Sequence, residues 1–172
     1  MRTLQPEDFY HTGIVVRDVA ESMRRLTGLG GYRWTRLVGY PFTIWTPEGE
    51  STVTFRFVYS IEAPHLELVE EIPGTVWTSA PGNAAHHLGY FVDDLAAASR
   101  ALTEAGLPVE ACGSVEGSHP SVFAYHKGAE GIRIEIVDRT TMGDFGSFLR
   151  ANAAELGEEG DPMSGAGASR RT

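Results

Sequence analysis

Two imidazoles and two carboxylates, one of each in two matching stretches of chain, are the side chains of this sequence best suited to chemistry. The first stretch reads His11-Thr12-Gly13-Ile14-Val15-Val16-Arg17-Asp18-Val19 and the second His87-Leu88-Gly89-Tyr90-Phe91-Val92-Asp93-Asp94-Leu95. Each opens on His, carries Gly two residues later, continues apolar, and closes on Asp with an aliphatic residue. A second pair also matches, Leu66-Glu67-Leu68-Val69-Glu70 and Ile134-Glu135-Ile136-Val137-Asp138. The chain therefore reads as two copies of one module, each supplying a His and a Glu. Together the four side chains could bind a divalent metal. Imidazole and carboxylate donors suit a borderline ion, Zn, Ni, Co, Mn or Fe(II), and residue types alone do not choose among them. Such an ion would act as a Lewis acid on a substrate carbonyl. It would acidify the neighbouring C–H and stabilise the enolate. A carboxylate at the site, Glu135 or Glu67, would take the proton and return it.

The elements that must position these groups follow from periodicity. Phe9 to Arg17 alternates as a strand; Asp18 caps a helix from Val19 to Leu29, which Gly30-Gly31 ends. A strand is expected over Tyr32 to Val38, followed by a loop rich in Gly, Pro and aromatic residues (Gly39, Tyr40, Pro41, Phe42, Trp45, Pro47) that could be a lid or a satellite hydrophobic cluster. Thr52 to Tyr59 alternates, with Val53, Phe55, Phe57 and Tyr59 on one face, and Pro64 to Glu70 is the last strand of a β-α-β-β-β unit. The second copy runs through a strand at His86 to Val92, a helix capped by Asp94 and stopped by Gly106, and strands near Pro108–Cys112, Ser121–His126 and Ile132–Val137. This gives an α+β organisation: a first βαβββ module over 1–72, a linker over 73–85, a second βαβββ module over 86–140, a C-terminal helix within 141–156 starting at Asp144, and a mobile Gly-, Ser- and Glu-rich tail over 157–172. Residues two apart on a strand share a face. Ile14 and Val16 thus oppose His11, Tyr90 and Val92 oppose His87, and the flanking Leu or Ile residues oppose Glu67 and Glu135. If the apolar faces meet the helices, all four candidate ligands point the other way, into the concave side of the sheet.

Composition narrows the class. With 172 residues and 42% hydrophobic content the chain can build one good core or two small modules that share one. A net charge of −9 argues against a nucleic-acid partner, which needs clustered Lys and Arg. No apolar run approaches the ~20 residues of a membrane helix, and the polar start with Glu7 and Asp8 has no signal-peptide pattern. Cys112 is the only cysteine, so an intrachain disulfide is impossible and a cytoplasmic location is expected.

With the duplicated strands in this order, the pattern resembles the vicinal oxygen chelate superfamily, which includes glyoxalase I, methylmalonyl-CoA epimerase, extradiol dioxygenases, fosfomycin-resistance transferases and bleomycin-resistance proteins. The similarity covers about Phe9 to Asp138 and is densest at His86-His87-Leu88-Gly89-Tyr90-Phe91-Val92-Asp93-Asp94-Leu95 and at Tyr125-His126-Lys127-Gly128 through Gly131-Ile132-Arg133-Ile134-Glu135. The resemblance implies paired βαβββ modules whose sheets curve around a metal-binding cleft, with ligands from the first and last strand of each module: His11, Glu67, His87 and Glu135. It also implies a branch. The bleomycin-binding proteins lack this ligand set, and dioxygenases and fosfomycin enzymes typically use two His and one Glu, so Glu67 favours a metal-dependent isomerase or lyase of the glyoxalase or epimerase type.

Other polar residues have both a functional and a structural reading. Arg133 shares the face of Glu135, and Arg56 shares the cleft if its side of the strand is inward; either could bind an anionic group, although solvated Arg is the default. His65 shares the face of Glu67 and could approach the substrate or make a rim hydrogen bond. His126 resembles a family His near the site or is structural, and His86 points away from His87 and is read as structural. The expected partner is a small molecule, in a homodimer whose clefts form within one chain or across a swapped pair. The competing functions are an oxygen-using extradiol-type dioxygenase and a non-catalytic drug-sequestering protein, which the aromatic residues Tyr40, Trp45 and Trp77 would suit.

Overall fold

In both halves of the chain an Asp starts a helix and the strand before it lays its apolar residues beneath that helix. The computed structural model describes residues 3–79 and 85–154. Strand β1 (Phe9–Val16) leads to helix α1 (Val19–Gly30), where Asp18 accepts from the Glu21 N–H at 2.8 Å; β5 (His87–Val92) leads to α2 (Leu95–Glu104), where Asp94 accepts from the Ala97 N–H at 2.8 Å. Gly31 ends α1 with φ 72°, a left-handed conformation that suits a residue without a Cβ. Val19 and Met23 of α1 pack with Ile14, Val16, Leu66 and Leu68. Leu95, Ala98 and Leu102 of α2 pack with Leu88, Tyr90, Ile134 and Ile136. The helices thus cover one face of the strands that carry the candidate ligands, and alternation turns the His and Glu to the other face.

The first module continues with β2 (Val38–Thr46), β3 (Gly49–Tyr59) and β4 (Leu66–Glu70), the second with β6 (Val109–Gly113), β7 (Phe123–Lys127) and β8 (Arg133–Asp138). The eight strands close into a barrel in the order β1-β4-β3-β2-β6-β7-β8-β5. Each module closes on a parallel pair, β1 with β4 and β5 with β8. The modules are joined by two antiparallel seams, β1 with β5 and β2 with β6. This is the α+β arrangement of two βαβββ units curved about a shared interior. That interior holds Tyr10, Phe57, Tyr59, Val69, Trp77, Phe91 and Tyr125 in one buried cluster. Helix α3 (Phe145–Asn152), capped by Asp144, brings Phe145 against Tyr10, Tyr59 and Phe91. After α3 the chain runs beside the Trp34–Arg36 segment, with the Arg36 N–H donating to Asn152 and the Ala154 N–H to Trp34.

Two elements differ from the sequence expectation. Tyr32 to Val38 is not a continuous strand; Trp34 and Thr35 make single bridges, to Ser60 and Ala153. The stretch expected as a loop or lid is β2, paired with β3 from Val38 to Thr46. Its Gly and Pro residues mask a two-residue alternation in which Val38, Phe42 and Ile44 face the barrel interior. Pro41 is tolerated because β2 pairs with β6 only at Ile44 and Trp45, so the proline sits on an edge. Tyr40, Phe42 and Trp45 therefore belong to the sheet. The expected tail and the end of the expected third helix lie outside the described residues, as does part of the linker.

Because Asp18 and Asp94 each satisfy a helix N-terminus, Asp18→Ala and Asp94→Ala should each lower stability by about 1 kcal/mol. Urea unfolding should show a lower midpoint with an unchanged slope.

Candidate metal centre

Register places the four candidate ligands in two adjacent rows. In one, Glu67 of β4 lies beside Gly13 of β1, which lies beside His87 of β5. In the other, His11 of β1 lies beside Gly89 of β5, which lies beside Glu135 of β8. Each imidazole therefore stands across the seam from the glycine of the other copy. A Cβ on Gly13 would lie 1.9 Å from His87 Cε1, and one on Gly89 would lie 2.2 Å from His11 Cε1. The His-x-Gly spacing that marks both copies is thus a steric device: the His supplies a ring, and the Gly makes room for its counterpart.

The ring tips and carboxylates converge. His11 Nε2 is 3.3 Å from Glu67 Oε2 and 3.4 Å from Glu135 Oε2; His87 Nε2 is 3.2 and 3.5 Å from the same atoms. The two Nε2 atoms are 2.8 Å apart, and one donor atom from each of the four residues lies within 4.8 Å of all the others. Donors about 2.1 Å from a shared ion stand about 3.0–3.4 Å apart at angles between right and tetrahedral. Three of the four His–Glu separations fall in that range, the His87–Glu135 separation is slightly wider at 3.5 Å, and the His–His separation is slightly tighter. All four residues are buried, His11 at 0% and Glu135 at 6% exposure being the extremes. Despite its neighbours, Glu67 Oε2 accepts no well-formed hydrogen bond. A buried carboxylate oxygen of this kind is costly without a cation. The chemistry of the donor set and this orphaned oxygen both fit a divalent ion, and all four groups come from one chain.

Electrostatics tie the set together. Burial alone would raise the Glu67 carboxyl, but His11 and His87 outweigh it and hold the group well below the usual carboxylate range. Burial alone would lower His87, but Glu135 and Glu67 lift it to about 9. Three phenols surround the carboxylates. Tyr10 Oη donates to Glu135 Oε2 at 3.4 Å, and Tyr125 accepts from the Trp77 indole N–H at 3.3 Å. Burial, and after it the nearby glutamate charges, raise Tyr10, Tyr59 and Tyr125 well above the ordinary phenol range, so all three remain donors. These aromatic residues were not singled out from sequence as site residues. The alternation of Thr52–Tyr59 did place Tyr59 on one face with Val53, Phe55 and Phe57, and the structure turns that face inward. Tyr10 turns inward through a register irregularity between Phe9 and His11 that strict alternation does not foresee.

The remaining candidates are placed elsewhere. Arg56 lies on the outer face of β3 and pairs with Glu70 at 3.1 Å; its neighbours Phe55 and Phe57 take the interior. Arg133 is held by Glu110 through two hydrogen bonds of 2.6 and 2.9 Å. His126 Nδ1 donates to the Leu107 carbonyl at 2.8 Å, beside the segment that follows α2, while the adjacent Tyr125 faces the interior. His65 makes a 3.2 Å rim hydrogen bond to the Ser60 carbonyl and packs edge-on to Phe145. His86, read from sequence as pointing away, touches His87: their Nδ1 atoms are 2.9 Å apart.

A family model, the Glyoxalase/Bleomycin resistance protein/Dioxygenase superfamily, matches residues 10–125. The chain belongs to that superfamily, the vicinal oxygen chelate group. Among solved structures it resembles methylmalonyl-CoA epimerase from Mycobacterium tuberculosis, at 18% identity and TM-score 0.51 over 80% of this chain and 91% of the other. It is similar to a Streptomyces coelicolor methylmalonyl-CoA epimerase variant in complex with 2-nitronate-propionyl-CoA, at 13% identity and TM-score 0.51 over 76% and 93%. A hypothetical protein from Bacillus halodurans aligns at 17% identity and TM-score 0.50 over 76% and 92%. At these identities the likeness is one of fold. No curated protein matches the chain.

The glycine seats give a test. In Gly13→Ala or Gly89→Ala the new methyl must displace the facing imidazole, a movable side chain, rather than backbone. Each variant should stay folded by circular dichroism yet lose at least about tenfold in zinc affinity, measured by chelator competition.

Proposed function

We propose that the chain is a metal-dependent isomerase or lyase of the glyoxalase or epimerase type, moving a proton beside the carbonyl of a small molecule. The observation that carries this reading is the second carboxylate: Glu67 joins His11, His87 and Glu135 in one buried donor set. When bound, the ion would polarise the substrate carbonyl and make the adjacent C–H acidic. The chain supplies the rest. Glu67, held ionised by the two imidazoles in the metal-free chain, would serve as an anionic ligand once the ion is bound. Glu135, in the other module, is the base that takes the proton and returns it. Tyr10 reaches Glu135 through its hydroxyl and orients that carboxylate. The aromatic wall of Tyr59, Phe91, Tyr125 and Phe145 excludes water, which strengthens each of these interactions.

A solved structure of methylmalonyl-CoA epimerase holds methylmalonyl-CoA, a thioester with an acidic C–H between two carbonyl groups, and that molecule is a suitable first probe. Arg56 and Arg133 give no support to an anchored phosphate, since both are already paired with glutamates.

Metal-loaded protein incubated in heavy water with methylmalonyl-CoA, and separately with the hemithioacetal of methylglyoxal and a thiol, should place deuterium at the carbon beside the carbonyl of its substrate. A chelator should abolish the exchange and removal of oxygen should leave it unchanged. Glu135→Gln should lower the rate by about 100-fold or more while metal is retained. A strict oxygen requirement would move the protein to the dioxygenase reading. Protein that never takes up metal would favour the sequestering one.

A further inference from the structure

We propose that His86 is a positioning residue for the metal centre, fixing the tautomer and ring orientation of His87 through the backbone carbonyl of Val76. The inference rests on the reading of His11, Glu67, His87 and Glu135 as metal ligands. Its logic begins at a group with no choice. A carbonyl oxygen only accepts, so His86 Nε2, 2.7 Å from Val76 O, must carry a proton and donate it. A neutral His86 then has a bare Nδ1, which is 2.9 Å from His87 Nδ1. The hydrogen bond between them forms when His87 Nδ1 carries the proton. That leaves the lone pair of a neutral His87 on Nε2, the atom facing Glu67 and Glu135 at 3.2 and 3.5 Å. The carbonyl, two rings and the ligand atom form one directed chain of hydrogen bonds.

Both ends of this chain are braced. Val76 belongs to the linker between the modules, where the Ile72 N–H donates to Trp77 O at 2.8 Å and the Trp77 N–H to Thr75 Oγ1 at 3.1 Å. The Trp77 ring is fully buried against Phe55, Phe123 and Tyr125. The backbone carbonyl of His86 accepts from Arg133 Nη1 at 3.3 Å, and Arg133 is itself clamped by Glu110. The linker is therefore part of the metal centre's support.

The two modules differ here. The residue before the candidate ligand is His86 in the second copy and Tyr10 in the first. Tyr10 donates its hydroxyl to Glu135 and meets His11 only through an edge-on ring contact, 4.3 Å between centroids. His11 Nδ1 has no hydrogen-bond partner, so packing orients that ring: the seat beside Gly89 and the edge-on rings of Tyr10 and Tyr59. One ligand is locked by hydrogen bonds and its repeat partner by shape.

The test uses the full chain labelled with 15N-histidine. Two-bond 1H–15N correlation should show His86 as the Nε2–H tautomer in both metal-free and zinc-loaded protein, with Nδ1–H on zinc-loaded His87. In chelator competition, His86→Phe should bind zinc about 10–100-fold more weakly than the native chain. His86→Asn, which keeps an acceptor near the position of Nδ1, should recover part of the loss. An Nδ1–H tautomer at His86, or native zinc affinity in His86→Phe, would overturn the inference. If His86→Phe does not fold, the tautomer spectrum and the Asn variant decide. If the native chain binds no zinc, the ligand reading fails, and the His86 tautomer in metal-free protein still decides whether the relay exists.

Discussion

The exchange of imidazole and glycine across the seam between β1 and β5 is the constraint on which the rest of the site depends. Two rings must enter a closed barrel side by side, and each occupies the volume that a side chain on the opposite strand would fill. Glycine at both positions removes the conflict. The antiparallel register of His11 with Gly89 and Gly13 with His87 then delivers the rings to a common point. The parallel pairs β1–β4 and β5–β8 add a glutamate on the outer side of each glycine. Register alone therefore assembles four potential donors, two from each module, all of them on strands.

Placing these groups in a barrel lined with aromatic rings sets their electrostatics. Removing an ionised group from water costs several kcal/mol even after relaxation, and only close opposite charge and hydrogen bonds offset it. Glu67 and His87 illustrate the compensation, since burial and partner charge push each in opposite directions and the partner prevails. The balance is left incomplete at Glu67 Oε2 and His11 Nδ1. A bound cation would satisfy the first of these. The surrounding phenols stay protonated because burial disfavours their ionised form, and the nearby glutamates add to the cost of a new negative charge.

Duplication explains the fold better than it explains the support around the four candidate ligands. The helices, their Asp caps and the packing of Leu or Ile residues beneath them repeat faithfully. The residues in contact with the candidate ligands do not repeat. Tyr10 and His86 occupy equivalent places, yet one reaches a carboxylate and the other an imidazole. Helix α3 lies after the second module and packs Phe145 against Tyr10 and Tyr59 of the first. Symmetry in the scaffold is combined with asymmetry in the shell, so the two halves of the donor set are chemically distinct.

Much of this was legible in the chain itself, because strand alternation and helix capping are local. A two-residue period places His11, Glu67, His87 and Glu135 opposite the apolar residues beside them, whatever the fold does next. Asp18 and Asp94 mark helix starts through hydrogen bonds that span three residues. Tertiary structure decided what depends on distant partners. Arg56 and Arg133 are equally plausible from sequence as substrate anchors, and only the nearness of Glu70 and Glu110 commits them to structural pairs. His126 carries a family resemblance but occupies the face of β7 opposite to Tyr125. The Gly- and Pro-rich stretch became β2 because its neighbour β3 offered a full ladder and left Pro41 an open edge. The hydrogen bond between His86 and His87 joins adjacent residues that alternation sends to opposite faces. It forms because His86 precedes the regular part of β5 and because a carbonyl ten residues earlier in the chain turns its ring back toward the site.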